Sequence, residues 1–276
     1  MVGPVRALLA AALLLAAVSA KANDTFVTLA STTSVRNAGL YDWVLPRIRA
    51  ALALEVRVIA VGTGQAIQIA QRGDADALLV HDEAAERAFI AEGFGRTRRA
   101  LMYNHFVIVG PVADPAGVRR ASDAPAALAG IGRVQEPFVS RGDDSGTHKM
   151  ELRLWRKTGR APDQSQGSWY REIGAGMGAV LNMAAAMDAY ALTDRATWIN
   201  FANRRGLTLL LPGAPALFNQ YSIIAVDPAR HPHVKAKAAS ALIDWLTGTA
   251  GQAVIAAYKV RGQQLFFPNA RSHRTN

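Results

Sequence analysis

The sequence predicts an α/β protein built on a mainly parallel sheet, and three observations predict it. Short apolar strands alternate with longer segments of helical period. Several strands run into glycine- or hydroxyl-rich loops that open directly onto a helix. The chain has 276 residues, 50% of them hydrophobic, enough for a substantial core and for two lobes of ordinary domain size.

The elements follow in order. Phe26–Ala30 reads as the first strand and is followed by the hydroxyl run Ser31-Thr32-Thr33-Ser34. Leu40, Val44, Ile48 and Leu52 recur at a spacing of four, which predicts an amphipathic helix bent at Pro46, a residue with no N–H to donate. Val56–Val61 alternates as a strand, Gly62-Thr63-Gly64 turns, and Gln65–Ala70 begins a helix. Ala77–Val80 is a third strand; Asp82 behind it is placed to cap a helix over Glu83–Glu92. Met102–Val109 is a fourth. A helix near Ala124–Ala129, a strand at Pro137–Val139 and a helix over Ser145–Lys157 come next, the last marked by Met150, Leu152, Leu154 and Trp155. Gly174-Ala175-Gly176-Met177-Gly178 precedes a helix over Gly178–Asp188. Leu207–Leu211 and Tyr221–Val226 read as strands, Val234–Leu246 and Thr249–Ala257 as helices, and the chain after Pro268 as a polar, frayed tail. No internal repeat or low-complexity linker separates two units.

The first residues read as a secretory leader. Arg6 precedes the apolar run Ala7–Val18, which is too short to span a membrane, and cleavage after Ala20 or Ala22 would follow small residues. The competing reading is an uncleaved anchor. There is no cysteine to carry a lipid at that site, so the expected location is the periplasm, free of any anchor. Zero cysteines also exclude disulfides and thiolate metal sites. The net charge of +10 raises the question of nucleic acid. The arginines are scattered, however, among them Arg47, Arg72, Arg98, Arg119 and Arg204, and none lies in a run interleaved with aromatics. A solvated basic surface fits better, and its diffuse field would speed the arrival of a dianion.

Four loops carry the chemistry. A helix start aims unpaired N–H groups outward, and these loops add hydroxyls. The candidate oxyanion-binding residues are Thr32, Thr33 and Ser34 in the first loop and Thr63 and Gly64 in the second. Arg141, Ser145, Gly146 and Thr147 follow in the third, Gly176 and Met177 in the fourth. Any one serine or threonine here is more simply an N-cap; four such loops together point to one anion. Arg141 sits between an apolar strand and a helix start, where a guanidinium grips two oxygens at once. Its plainer role is a surface ion pair with Asp143 or Asp144, which themselves orient Arg141 or cap the helix. His148 and Glu151, three apart on one face, suggest a metal, but no second histidine joins them, so a structural pairing is favoured. His81 is a cleft residue or nothing, and Tyr190 and Tyr221 read as core. Arg141-Gly142-Asp143 matches an adhesive tripeptide by chance. Gly62-Thr63-Gly64 lacks the rest of a dinucleotide fingerprint. Neither a Gly-x-Ser-x-Gly elbow nor clustered metal ligands is present, so no enzyme, no resident metal and no cofactor are expected.

These residues resemble the tungstate-binding periplasmic proteins of ABC transporters. The resemblance rests on Ser31–Ser34, Ala60–Gly64, Leu79–Asp82, Met102–Pro111, Ser140–His148 with Glu151 and Leu154-Trp155, and Ala189–Arg195, in the family's order along most of the chain. One departure is Ser31, where the family carries a third threonine. The resemblance implies a two-lobed type II periplasmic binding protein, each lobe a mainly parallel sheet flanked by helices. The chain would cross between lobes near Tyr103–Val109 and near Asn219–Ile224. The implied division is a signal peptide over residues 1–22, a discontinuous lobe from 23–105 and 221–276, and a second lobe from 106–220. It also implies tungstate, or molybdate, as ligand and a membrane ABC permease as partner. The chain would act as a monomer and touch no nucleic acid. Runner-up readings are a molybdate-, sulfate- or phosphate-binding protein of the same fold, or a secreted phosphate or sulfate ester hydrolase.

Overall fold

A computed structural model describes residues 26–159, 162 and 169–270. The expected signal peptide, residues 1–22, lies outside the described residues, as does the tail beyond residue 270.

The first strand, β1 (Phe26–Thr32), runs into a short helix, α1 (Thr33–Asn37), and then α2 (Leu40–Leu52), which is continuous through Pro46. Next come β2 (Glu55–Val61), α3 (Thr63–Gln71), β3 (Ala77–Val80) and α4 (Glu83–Ala91). A long strand, β4 (Gly95–Pro111), leads to α5 (Ala124–Val134), β5 (Phe138–Ser140), α6 (Gly146–Lys157) and β6 (Tyr170–Glu172). Then follow α7 (Met177–Met187), β7 (Ala191–Asp194), α8 (Arg195–Asn200), β8 (Leu207–Leu211) and β9 (Phe218–Val226). Helices α9 (Ala236–Thr247) and α10 (Thr249–Ala257), the hairpin β10 (Lys259–Val260) and β11 (Gln263–Gln264), and β12 (Phe267–Pro268) complete the described chain.

The α/β class holds, and the molecule is two-lobed. One correction concerns strand direction. Among the described residues β1 pairs in parallel with β2 and β3, β5 with β6, and Phe138 of β5 forms a parallel bridge with Tyr190 before β7; β9 runs antiparallel to β3 and to β4, and β7, β8 and β12 run antiparallel to β4. The expected mainly parallel sheets are therefore mixed. The reason is the two long strands that return through the sheets, which a count of βαβ units does not register.

Strand β4 organises both lobes. Its first half pairs β9, from Gly95 opposite Val226 to His105 opposite Phe218; its second half pairs β7, from Phe106 opposite Asp194 to Val109 opposite Ala191. Burial follows the period of two on each side of that change. In the first lobe Leu79 and Ile223 join a core with Val27, Leu29, Met102 and Leu242, while their neighbours Leu78 and Ile224 face Ala30, Ile67 and Phe89. In the second, Phe106 and Ile108 pack with Leu128, Phe138 and Trp155, whereas Val107 and Val109 pack with Val139, Met177 and Leu181. Each sheet is thus covered on both faces. Helix α8 straddles the seam: Ala196 and Ile199 enter the first lobe's core and Trp198 packs beside Val107.

Strand β4 begins seven residues before the predicted Met102. Arg96, Arg98 and Arg99 break the apolar pattern there, but they lie along the strand and pair with Asp227, Glu86 and Asp244.

Candidate functional site

The candidate loops lie where strands end and helices begin. Thr32 closes β1, Gly62 follows β2, and Ser140 closes β5, two elements before the loop that opens α7. In the first turns of α3, α6 and α7, the N–H groups of Gly64, Gly146, Thr147, Met177 and Gly178 have no acceptor within their own helix.

Contacts bring the four loops to one place. Ile173 N–H donates to the Ser140 carbonyl and Ala175 N–H to that of Arg141, both at 3.2 Å, so the fourth loop is laced to the third. A Cβ built on Gly64 would lie 2.5 Å from Asp144 Oδ2, which sets the second loop against the third. A Cβ on Gly146 would lie 2.8 Å from Nδ1 and 2.9 Å from Nε2 of His81, so the start of α6 rests on that ring. The His81 ring in turn sits 4.8 Å from the ring of Tyr221, and Ser34 Oγ lies 3.1 Å from Tyr221 Oη, which ties in the first loop.

The hydroxyls divide into roles that the sequence leaves open. Ser145 is a true N-cap, accepting from His148 N–H at 3.3 Å. Thr32 precedes α1 without capping it, and its Oγ1 lies 2.9 Å from Ser34 Oγ. Thr33 is half-buried at the first position of α1. Thr63 is buried, and its Oγ1 has no hydrogen-bond partner among the described residues, an arrangement that costs free energy unless something else accepts or donates there. Thr147 and Met177 are buried in the first turns of α6 and α7, and Gly176 caps α7 with no side chain. Ser31, the departure from the family pattern, faces away: its Oγ donates to the Leu79 carbonyl at 3.0 Å and accepts from the Tyr41 hydroxyl.

Arg141 is only 5% exposed, which rules out the surface ion pair. Its Nε and Nη2 both donate to Asp143 Oδ2, at 3.1 and 2.6 Å, and Asp143 Oδ1 accepts from Ser145 N–H at 3.2 Å. Asp143 therefore aims the guanidinium, and Nη1 stays uncommitted among the described residues. Asp144 reaches Lys149 at 3.4 Å instead.

Other residues fall where the sequence points only weakly. Burial pushes the His81 imidazole down to about 4, so it is neutral near pH 7. Its Nδ1 is buried with no hydrogen-bond partner among the described residues. Tyr221 is fully buried, as expected of core, yet its hydroxyl meets Ser34 of the first candidate loop; the alternation of an apolar strand gives no sign of that. Asn219 on β9 and Asn104 on β4 are bonded at 2.7 Å, and nothing local in the sequence marks either. Asp194 caps α8 through Thr197 N–H at 2.9 Å and accepts from Thr197 Oγ1 at 2.5 Å. Tyr190 is core, its hydroxyl donating to Asp114 Oδ1 at 3.0 Å. Asp82 caps α4, accepting from Ala85 N–H at 3.4 Å.

His148 and Glu151 do not pair with each other. His148 faces Glu172 at 3.3 Å, whereas Glu151 accepts from the Tyr170 hydroxyl at 2.8 Å. No group of metal-ligating side chains occurs among the described residues. Burial pushes the Glu151 carboxyl up to about 8. Its folded-state value lies above its unfolded one, so its contribution to stability is fully present below about pH 4.5 and is lost as pH rises through 8. Each pH unit in that window costs on the order of 1 kcal/mol at most. Glu151→Gln keeps an acceptor for Tyr170 and has no charge to bury. Thermal melts are expected to show the variant gaining on wild type steadily from pH 5 to pH 8; parallel curves would place Glu151 in contact with solvent.

The chain is similar to known proteins along most of its length. A PBP superfamily domain matches residues 17–250. The tungstate-binding protein TupA of Peptoclostridium acidaminophilum is 42% identical over 248 residues, which cover 88% of this chain and 86% of that protein. Among solved structures, the tungstate-binding protein TupA from Desulfovibrio alaskensis G20 is 43% identical with a TM-score of 0.78, covering 89% of this chain and 99% of that one. The tungstate ABC transporter structure from Geobacter sulfurreducens is 44% identical with a TM-score of 0.77, over 84% of this chain and 98% of that one.

Proposed function

This chain belongs to the PBP (periplasmic binding protein) superfamily, and from that premise we propose that it captures tungstate between its two lobes and delivers it to a membrane ABC permease. The observation that carries the reading is the meeting of four donor-rich loops around Arg141, with Thr63 Oγ1 buried and unpartnered among them. A tetrahedral dianion gives up its hydration on burial and must find donors with few competing acceptors. Amides at Gly64, Gly146, Thr147, Met177 and Gly178, hydroxyls at Thr32, Thr33, Ser34, Thr63 and Thr147, and the free edge of Arg141 are those donors. Ser145 acts through its cap, which sets the direction of α6.

The lobes divide the work. Residues 23–105 and 221–276 supply the first two loops, and residues 106–220 supply the other two. Neither set encloses a dianion alone, so the ligand favours the arrangement in which both make contact. A hydrolase reading needs a base beside a hydroxyl nucleophile. Among the described residues His81 is bonded to no serine or threonine, which supports a site for binding without turnover. The protein works in the periplasm as a monomer, after removal of its leader behind Ala20 or Ala22. No helix among the described residues is long and apolar enough to cross a membrane.

Titration calorimetry against tungstate tests the reading. The expected result is tight one-to-one binding that equimolar sulfate or phosphate does not displace. Sulfate is smaller than tungstate, so donors fixed for the larger anion meet it with stretched bonds. Absence of tungstate binding overturns the assignment; equal affinity for molybdate overturns only the choice between those two anions.

A further inference from the structure

We propose that Asp82 and Arg153 are positioning residues for capture: they form an ion-pair clasp between the two lobes, outside the anion site, that holds the closed arrangement. The inference rests on the two-lobed capture reading above and adds to it a contact that the anion does not make.

The acidic half sits at the start of α4. Asp82, Glu83 and Glu86 bring three carboxylates into five residues. Two of them are answered from the first lobe: Glu83 pairs with Arg87 at 2.6 Å, and the buried Glu86 with Arg98 at 2.5 Å. The third is not. Asp82 has a side chain only 4% exposed, and the cation that reaches it, at 3.5 Å, is Arg153 of α6. Among the described residues this is the ion pair that joins residues 23–105 to residues 106–220.

The basic half has equally little choice. Lys149, Arg153, Arg156 and Lys157 follow one another at helical spacing along one side of α6. Lys149 reaches Asp144 of the preceding loop. The acid that α6 itself carries, Glu151, is buried and accepts from the Tyr170 hydroxyl. A basic row on one lobe thus faces an acidic helix start on the other, and Asp82 with Arg153 is where they meet. Arg153 lies six residues beyond Thr147, roughly 9 Å along the helix axis, so it acts away from the anion donors.

The pair distinguishes closed from open. Parting the lobes returns both charges to water, whereas closing them leaves Asp82 buried with Arg153 as its counter-charge. The two halves are unequal. The Arg153 side chain is 36% exposed, beside a groove of about 600 Å³ that Arg87, Arg98 and Met150 also line, so it stays hydrated when its partner is removed. Asp82 does not, and a buried carboxylate stripped of its cation is the more costly loss.

A double-mutant cycle read by calorimetry with tungstate tests the clasp. Asp82→Asn removes the charge and keeps an equally good cap for α4. Arg153→Gln removes the other charge from a partly exposed helix position. Both variants should fold, which circular dichroism checks. Arg153→Gln is expected to lower affinity at least about fivefold, between the effects of an exposed and a buried pair. Adding Asp82→Asn to it should recover affinity, because no buried carboxylate then lacks a cation. The direct pull of each charge on the dianion is present in the single variants and cancels in the cycle, so the coupling reports the pair alone. That coupling should shrink when sodium chloride is raised to about 1 M, where the screening length falls to about 3 Å. Losses that simply add, at low salt, would overturn the clasp, as would wild-type affinity in Arg153→Gln. Should the wild type bind sulfate in place of tungstate, the tungstate reading falls, and the same cycle taken with sulfate still decides the clasp.

Discussion

Arg141→Ala is expected to reduce tungstate affinity by a factor on the order of one hundred or more while the protein stays folded. Breaking a desolvated, charge-assisted hydrogen bond in a binding site costs about 2–5 kcal/mol. Two features put this residue at the upper end. Arg141 is 5% exposed, so solvent screens it little. Removal also leaves Asp143, which now accepts two guanidinium bonds on Oδ2, as an uncompensated carboxylate beside the dianion. The fold should survive because the Arg141 backbone, not its side chain, makes the bond to Ala175 N–H. Arg141→Lys restores the charge but not the fork and should recover only part of the affinity. Calorimetry on the three proteins reads this directly. Wild-type affinity in the alanine variant would move the site away from this loop.

Much of this candidate site is legible in the sequence. Hydroxyls and glycines at helix starts have a local cause, so Thr32, Thr63, Ser145 and Gly176 stand out from strand and helix period alone. Arg141 stands out because a charge at the end of an apolar strand needs a reason. The partners that orient these groups come from afar, and distance in sequence hides them. Ser34 meets Tyr221 across 187 residues, and Asn104 meets Asn219 across 115. Tyr221 sits between polar Gln220 and Ser222, just ahead of the apolar run Ile223–Val226, and on local grounds it can only be read as core. Whether a hydroxyl caps or binds is equally out of reach. Ser145 and Thr63 look alike in sequence, yet one accepts a helix amide and the other is left unpartnered. The mixed direction of the sheets is hidden for a related reason: βαβ units are local, and β9 joins β4 only through pairing across the whole second lobe.

Closure offers the second large effect. Gly146→Ala is expected to weaken tungstate binding without weakening the fold. A methyl group at Gly146 would enter the His81 ring, approaching Nδ1 to 2.8 Å and Nε2 to 2.9 Å. That ring cannot step aside, because it is 7% exposed and held against Tyr221 at 4.8 Å and Phe106 at 6.1 Å. Gly146 occupies the first turn of α6 in ordinary helical backbone, where alanine is the better helix former by up to about 1 kcal/mol. The second lobe alone thus gains or loses little, and the clash falls on its packing against the first. Overpacking of this kind costs about 1–3 kcal/mol, so affinity should drop by roughly five- to a hundredfold. Gly64→Ala makes the contrast. The atom it would strike is Asp144 Oδ2, the tip of a side chain 74% exposed, which can swing into solvent at small cost. Small-angle scattering during a tungstate titration should show the compaction midpoint of Gly146→Ala displaced to higher concentration by the same factor as its affinity, with Gly64→Ala close to wild type. Equal midpoints for all three proteins would mean that the His81 packing survives opening and that the lobes do not part between Gly146 and His81.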